Sequence, residues 1–179
     1  MFDNADLRDA SAIKTFCTNA LEKMGSIDIL INNAGIQHTS SIETFPEAKW
    51  NDIIAVNLSA AFHLMQQSLP NMKSNNWGRI INIASVHGLV ASVNKAAYCA
   101  AKHGIIGLTK VVALESAEQG VTANSICPGW VDTPLINQQI QDIAAQKNVS
   151  VEQASYELVT TKQPLPEMMN PSQIGEFIL

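Results

Sequence analysis

Tyr98 and Lys102 stand four residues apart, and Ser85 precedes this pair by thirteen positions. On a helix, residues four apart lie on one face and one turn from each other, so this spacing places an ammonium beside a phenol. A phenol titrates near pKa ~10 in water, and a nearby cation favours the phenolate. Bringing that pKa close to neutrality needs roughly 4 kcal/mol, which one ammonium and a cationic cofactor ring could supply in a partly desolvated cleft. The pair therefore predicts a base that works near neutral pH.

Ser85 follows the apolar run 80–84, which is typical of a buried strand. Open parallel sheets hold their ligands at the carboxyl ends of the strands, so we expect the Ser85 hydroxyl at a binding edge. Most tyrosine–lysine pairs at this spacing only support a helix surface. Taken alone, the pair is open to both interpretations.

Asparagines mark two further segments. The sequence Asn-Asn-Ala-Gly at 32–35 follows the apolar run 27–31, which we predict to be a parallel strand buried on both faces. The small residues of this turn let the backbone lie close to a ligand. Asn57 lies on the apolar stripe of a long helix predicted over 46–69. An asparagine that faces a core needs hydrogen-bond partners, such as a water or a freed carbonyl.

Apolar periodicity and turn residues predict the remaining elements. These are a helix from Ile13 to Met24 that ends at Gly25, a polar connector over 70–78, strands at 79–84 and 122–126, a helical lid over 135–158, and a last helix from Asn170. The helix that carries Tyr98 is rich in alanine, glycine and apolar residues along several faces. A helix of that composition is buried on more than one side, which indicates a subunit interface.

Together, the turn at 32–35, Asn57, Ser85 and the pair Tyr98 and Lys102 resemble the short-chain dehydrogenase/reductase family. Within that family the chain is most similar to the D-3-hydroxybutyrate dehydrogenases, from Asp6 to its last residue. The resemblance implies an α/β fold with a Rossmann-like, doubly wound parallel sheet. It also implies reversible oxidation of (R)-3-hydroxybutyrate to acetoacetate with NAD, a place in ketone-body metabolism, and assembly as a homo-tetramer.

The same resemblance implies a role for each catalytic residue. Ser85 would hydrogen-bond the reacting oxygen, and Tyr98 would take the hydroxyl proton as a phenolate. Lys102 would grip the nicotinamide ribose and depress the Tyr98 pKa. Asn57 would hold a water that links to the lysine. The implied cofactor contacts are Asp6, Leu7, Asn33, Ala34, Gly35, Tyr98, Lys102, Pro128, Gly129, Val131 and Thr133. For the first of these, an equally good interpretation is that Asp6 or Asp9 caps the following helix.

Several side chains are placed to meet a substrate at the strand-end cleft. They are Gln37, Ser85, His87, Lys95, Tyr98 and Gln139, with Trp130 as a wall. A lysine, an imidazole and two amides around one small space suit a short carboxylate better than an apolar steroid. Each also has a structural interpretation as surface, loop or packing residue, and their joint match to the hydroxybutyrate pattern favours the carboxylate.

The chain departs from the family pattern in one respect. It lacks a G-x-x-x-G-x-G run, the family's phosphate cradle, and we expect the first two strands and the last strand to be absent. Residues 1–179 are then a single partial catalytic domain of three to four strands with exposed edges, which alone binds cofactor poorly and is inactive. Two alternatives stay open. One is a reductase for a 3-oxoacyl or sugar-alcohol substrate, and the other is a non-catalytic piece that serves subunit association.

The composition indicates a single globular domain. With 179 residues, 46% hydrophobic and 15% charged, the chain suits one globular domain. A net charge of −5 predicts no nucleic-acid partner, and no apolar run approaches the length of a membrane span. The three cysteines suit free thiols in a reducing cytoplasm better than disulfides or a zinc site, so we predict no metal.

Overall fold

The computed structural model describes residues 2–179 and shows an α/β architecture. Its elements, in chain order, are α1 (Ala10–Met24), β1 (Ile29–Asn32), α2 (Glu47–Ile54), α3 (Ala60–Ser74), β2 (Gly78–Ile83), α4 (Ala96–Ser116), β3 (Val121–Ile126), α5 (Pro134–Lys147), α6 (Val151–Thr160) and α7 (Pro171–Ile178). Asp9 caps the start of α1 through the Ser11 amide, and Gly25 ends it at a φ of 82°. The predicted end of this helix is therefore confirmed, whereas the helix begins three residues before the predicted Ile13.

Three parallel strands form one sheet in the order β1-β2-β3. Asn32 pairs with Asn82, and Asn82 pairs with Ser125, so polar residues near the carboxyl ends of all three strands share one level. The predicted parallel sheet of three to four strands is confirmed. Parallel strands bring their carboxyl ends to one edge, which is where the predicted ligand residues follow β1 and β2.

The core of the sheet lies on one face. Ile80 and Val121 are buried there against Met65 of α3 and Ile105 of α4. On β1, Leu30 packs toward this core, whereas Ile29 and Ile31 are 57% and 48% exposed. The prediction that the first strand is buried on both faces is wrong, because successive side chains point to opposite faces and only one face meets the helices of this cluster.

The long helix predicted over 46–69 has two differences from the structure. A π-helical turn, Ala55–Ser59, separates α2 from α3, and α3 continues through Pro70 to Ser74. The first part of the predicted connector at 70–78 is therefore helix. Proline removes one backbone hydrogen bond, but buried residues on both sides of it, Met65 and Met72, keep the helix packed on the core.

The predicted helix over 135–158 is two helices. Asn148 ends α5 in the left-handed conformation, at a φ of 53°, and the Ser150 side chain caps α6 by accepting the Gln153 amide. Asparagine tolerates that conformation better than most residues, and serine is a preferred cap, so the break is local in origin. The last helix begins at Pro171 behind an Asn170 capping box, as predicted.

The chain divides into two compact units, with the boundary between Cys127 and Pro128. The sheet and α1–α4 belong to the first unit, and α5–α7 belong to the second. The prediction of a single domain over 1–179 stays a prediction, because two compact units can belong to one domain. Across the described residues, no helix combines the length and apolarity needed to cross a membrane.

Candidate active site

Ser85 lies two residues beyond β2 and begins a short 3-10 turn, Val86–Gly88. Its Oγ accepts a hydrogen bond of 3.1 Å from the His87 backbone amide, which fixes the side chain at the strand end. The Ser85 side chain also hydrogen-bonds the Tyr98 hydroxyl. The structure thus brings together the serine and the tyrosine that the sequence places thirteen residues apart.

Lys102 follows Tyr98 by one turn of α4 and is only 4% exposed. Its Nζ donates a hydrogen bond of 2.6 Å to the Ile83 carbonyl at the end of β2, and lies 5.6 Å from the centre of the Tyr98 ring. Burial lowers the pKa of this ammonium to about 8, and the Cys127 thiol acts weakly in the opposite direction. The ammonium is therefore held at the strand end, next to the phenol.

The surroundings of Tyr98 shift its pKa. Burial raises the Tyr98 pKa above its ordinary value, and the Ser85 hydrogen bond only partly opposes this rise. The rise comes from desolvation, which penalises the phenolate. The prediction that Lys102 and a cationic cofactor ring together lower the Tyr98 pKa stays a prediction.

Asn57 lies in the π-helical turn, where the Ala60 amide reaches back to the Ala55 carbonyl. The Asn57 Oδ1 accepts the Ile36 amide and its Nδ2 donates to the Ile36 carbonyl, both at 2.9 Å. This buried amide therefore has the hydrogen-bond partners that its position requires, and they are backbone atoms of the residue just after the Asn-Asn-Ala-Gly turn. π-Turns inside helices are frequent at functional sites. The water-holding role of Asn57 stays a prediction.

A cleft of about 330 Å³ opens beside the turn at 32–35. Leu7, Asn33, Ala34 and Lys102 line it together with Asn57, so most of the cofactor contacts predicted in the first unit meet there. Gly35 lies close by, since a Cβ built on it would stand 3.9 Å from both Asn57 Oδ1 and Lys102 Nζ.

Asp6 has a local partner. Its carboxylate bonds the Arg8 guanidinium at 2.7 Å, and this hydrogen bond lowers the Asp6 pKa to about 2. Of the two aspartates considered as helix caps, Asp9 is the one that caps α1. An adenine contact by Asp6 stays a prediction.

Two of the predicted substrate residues lie beside Tyr98, and a third bonds one of them. The buried Lys95 donates through Nζ to the Gln37 Oε1 at 3.1 Å, and the same Nζ lies 5.9 Å from the centre of the Tyr98 ring. His87 meets that ring edge-on, with 6.0 Å between ring centres. One ammonium and one imidazole therefore lie beside the phenol that hydrogen-bonds Ser85, and one amide bonds that ammonium.

The other predicted residues belong to the second unit. Val131 pairs with Met169 in an isolated parallel bridge, and Thr133 directly precedes α5, which carries Gln139. Trp130 is buried, and its carbonyl accepts the Met169 amide at 2.9 Å. Contacts of these residues, and of Pro128 and Gly129, with cofactor or substrate stay predictions.

A polar group below the strand ends was not predicted from the sequence. It is formed by Asn82, Thr109 and Ser125 with Asn32. A signal for it exists in the sequence. Each of the three strands has one polar residue at its last or next-to-last position, at the same level of the sheet.

Known proteins resemble this chain in sequence and in backbone. The short chain dehydrogenase family model matches residues 1–144. D-beta-hydroxybutyrate dehydrogenases from Cupriavidus necator and Rhizobium meliloti are 53% and 50% identical to the chain, over 97% and 98% of its length. The chain spans 67% and 68% of those two relatives. A crystal structure of actinorhodin polyketide ketoreductase with NADPH superposes with a TM-score of 0.90 at 33% identity, over 98% of this chain and 68% of that one.

Proposed function

The chain belongs to the short-chain dehydrogenase family of oxidoreductases, and on that premise we propose that the native protein interconverts (R)-3-hydroxybutyrate and acetoacetate by hydride transfer with NAD. The observation that carries the proposal is the cluster at the end of β2, where the Tyr98 hydroxyl bonds Ser85 with Lys102 and Lys95 close to its ring. The identity of about half of all residues with two hydroxybutyrate dehydrogenases supports the choice of substrate.

The residues beside the cleft fit a nicotinamide cofactor. Asn33 and Ala34 border the space, and the nearby Gly35 carries no side chain that would intrude. The buried Lys102 ammonium, a donor with three hydrogens, suits the hydroxyls of a ribose. When bound, the cofactor would supply the acceptor for the hydride. The choice of NAD over NADP follows the resemblance to hydroxybutyrate dehydrogenases.

In this mechanism each residue of the cluster has one role. The Ser85 hydroxyl would hold the reacting oxygen of the substrate, and Tyr98 would accept its proton at Oη. The Ser85–Tyr98 hydrogen bond already favours the phenolate, which partly offsets the burial that disfavours it. Lys102, fixed by the Ile83 carbonyl, would add a positive charge close to the ring as the proton leaves the substrate.

The side chains next to Tyr98 suit a small carboxylate. Lys95 Nζ bonds Gln37 and lies near the Tyr98 ring, and His87 packs against the same ring. A carboxylate accepts strong charge-assisted hydrogen bonds from such donors. We therefore place the carboxylate of hydroxybutyrate at Lys95, with Gln37 and His87 as neighbours.

A direct assay tests the proposal. We expect the native protein to oxidise (R)-3-hydroxybutyrate with NAD at a higher kcat/KM than with NADP, and to leave the (S)-enantiomer unreacted. Progress is followed by absorbance of the reduced nicotinamide. A higher kcat/KM for a 3-oxoacyl thioester with NADPH would contradict the proposal and favour a 3-oxoacyl reductase.

The alternative is a reductase for a 3-oxoacyl or related keto substrate. It is favoured by the match to a polyketide ketoreductase, whose backbone superposes along nearly the whole chain. Against it stands the position of the Lys95 ammonium beside the Tyr98 ring, because a carboxylate gains a stronger, charge-assisted hydrogen bond there than an uncharged acyl chain does.

We further propose that the native protein is a homo-oligomer, a tetramer by the resemblance, and that α3 and α4 form one interface. A groove of about 410 Å³ runs between these helices, and its lining includes Phe62 and Val111, which are 42% and 48% exposed. Apolar side chains exposed together on two helices are typical of an association surface.

Val111→Glu should then split the assembly into smaller species, because it places an unpaired charge in an apolar contact. Light scattering coupled to size exclusion gives the mass. Ile42→Glu is the matched control, since Ile42 is exposed and lies away from the groove residues. An unchanged mass for Val111→Glu excludes this interface.

A further inference from the structure

A hydrogen-bonded network crosses the sheet one layer below the candidate active site. Asn32 Nδ2 donates to Asn82 Oδ1 at 2.7 Å, and Asn82 Nδ2 donates to Thr109 Oγ1 at 2.8 Å. From the other side, the Ser125 hydroxyl donates to the same Thr109 oxygen at 2.8 Å. The network therefore joins β1, β2 and β3 to a single side chain of α4.

Thr109 is the hub of this network. Besides the two bonds it accepts, its hydroxyl donates to the Ile105 carbonyl at 2.6 Å. A hydroxyl has one hydrogen and two lone pairs, so all of its hydrogen-bonding capacity is used. A saturated, buried hub of this kind permits little sliding of the helix against the sheet, because any shift breaks bonds that water cannot replace there.

Thr109 and the proposed catalytic Lys102 lie on the same face of α4. Thr109 follows Lys102 by seven residues, about two helical turns, so both face the sheet from the same side of α4. Thr109 is tied to Asn82 of β2, and Lys102 is tied to the carbonyl of the next residue, Ile83. Helix α4 is thus hydrogen-bonded to β2 at two points. Only the contact of Lys102 with Ile83 lies at the reacting groups.

We propose that Thr109 is a positioning residue, which sets the height of α4 on the sheet so that the Lys102 ammonium meets the Ile83 carbonyl beside Tyr98. The effect on turnover rests on the proposed function, whereas the effect on Lys102 itself does not. The hydrogen bonds from Asn32 to Asn82 and from Asn82 to Thr109 also fix the position of the Asn-Asn-Ala-Gly turn relative to α4.

Thr109→Val in the native protein tests this proposal, because it keeps the shape of the side chain and removes all three hydrogen bonds. We expect kcat to fall about tenfold while KM for the substrate changes less than about twofold, since small misplacements of reacting groups cost rate. The second readout is an NMR titration of Lys102 in protein with ¹³C-labelled lysine. As the ammonium leaves the Ile83 carbonyl and becomes hydrated, its pKa should rise from about 8 toward its ordinary value. Tyr98 and Cys127 are the titratable groups that neighbour Lys102.

Two further variants separate positioning from stability. Thr109→Ser retains the hydroxyl and should restore both readouts. Ser68→Ala removes another buried hydroxyl, which bonds only the Leu64 carbonyl within α3, and should leave both readouts unchanged. If Thr109→Val does not fold, Ser125→Ala removes one bond of the hub and should shift both readouts in the same direction, with kcat about threefold lower.

A folded Thr109→Val protein with wild-type kcat and an unchanged Lys102 titration overturns the proposal. An unchanged titration in Ser125→Ala does the same if Thr109→Val is unfolded. A wild-type protein without hydride transfer would refute the proposed function instead, and the Lys102 titration would still decide the role of Thr109.

Discussion

Tyr98→Phe should lower kcat of the native protein roughly a thousandfold, within the range that a single acid–base group contributes. Phenylalanine keeps the ring that packs beside His87 and removes only the oxygen that bonds Ser85. The substrate hydroxyl then has no phenol to which it can transfer its proton. Cofactor affinity should change little, because the Lys102 ammonium keeps its bond to the Ile83 carbonyl.

The chain offers a matched control for this variant. Its other tyrosine, Tyr156, lies exposed on α6, so Tyr156→Phe removes a phenol oxygen without touching the cluster. Steady-state kinetics of both variants, with fluorescence titration of the cofactor, separate chemistry from binding. Substantial turnover by Tyr98→Phe, or an equal loss in Tyr156→Phe, would remove Tyr98 from the role of base.

The pairing of Ser85 with Tyr98 shows why local spacing predicted so much of the site. An apolar run that ends in a serine places its hydroxyl at a strand end, and a parallel sheet collects such ends at one edge. The four-residue spacing of Tyr98 and Lys102 likewise needs only a helix. Both features depend on short-range geometry, which a sequence specifies directly.

What the sequence did not predict depends on tertiary contacts. The Lys102 ammonium bonds the Ile83 carbonyl, a partner nineteen residues away whose position follows from how α4 crosses β2. Desolvation of Tyr98 arises in the same packing, and it raises the Tyr98 pKa. The exposure of Ile29 and Ile31 also could not be predicted from an apolar run, which looks alike whether one face or both are covered.

The Asn57 amide illustrates an intermediate case. A polar residue on an apolar helical stripe correctly indicated that buried partners exist. Their identity, the backbone of Ile36, required the π-helical turn that aims the side chain at the loop after β1. Helix periodicity assumes a regular α-helix and therefore cannot predict such a turn.

The second large effect is expected for Lys95→Ala, through substrate binding rather than chemistry. We expect KM for (R)-3-hydroxybutyrate to rise about 100-fold, which corresponds to roughly 2.7 kcal/mol, because the carboxylate loses a buried charge-assisted partner. The value of kcat should fall far less, since Ser85 and Tyr98 are unchanged. Gln37 loses its bond to the Lys95 ammonium, but an amide cannot replace the lost charge.

The control for charge is the substrate itself. A neutral secondary alcohol of similar size makes no ion pair with Lys95, so its KM should change less than about threefold in Lys95→Ala. Lys49→Ala, which removes an exposed lysine from α2, should leave both KM values at the wild-type level. Equal increases for the acid and the neutral alcohol would mean that Lys95 shapes the pocket without recognising a carboxylate. In that case the keto-acyl substrate becomes the better assignment, because its recognition needs no buried cation to balance a negative charge.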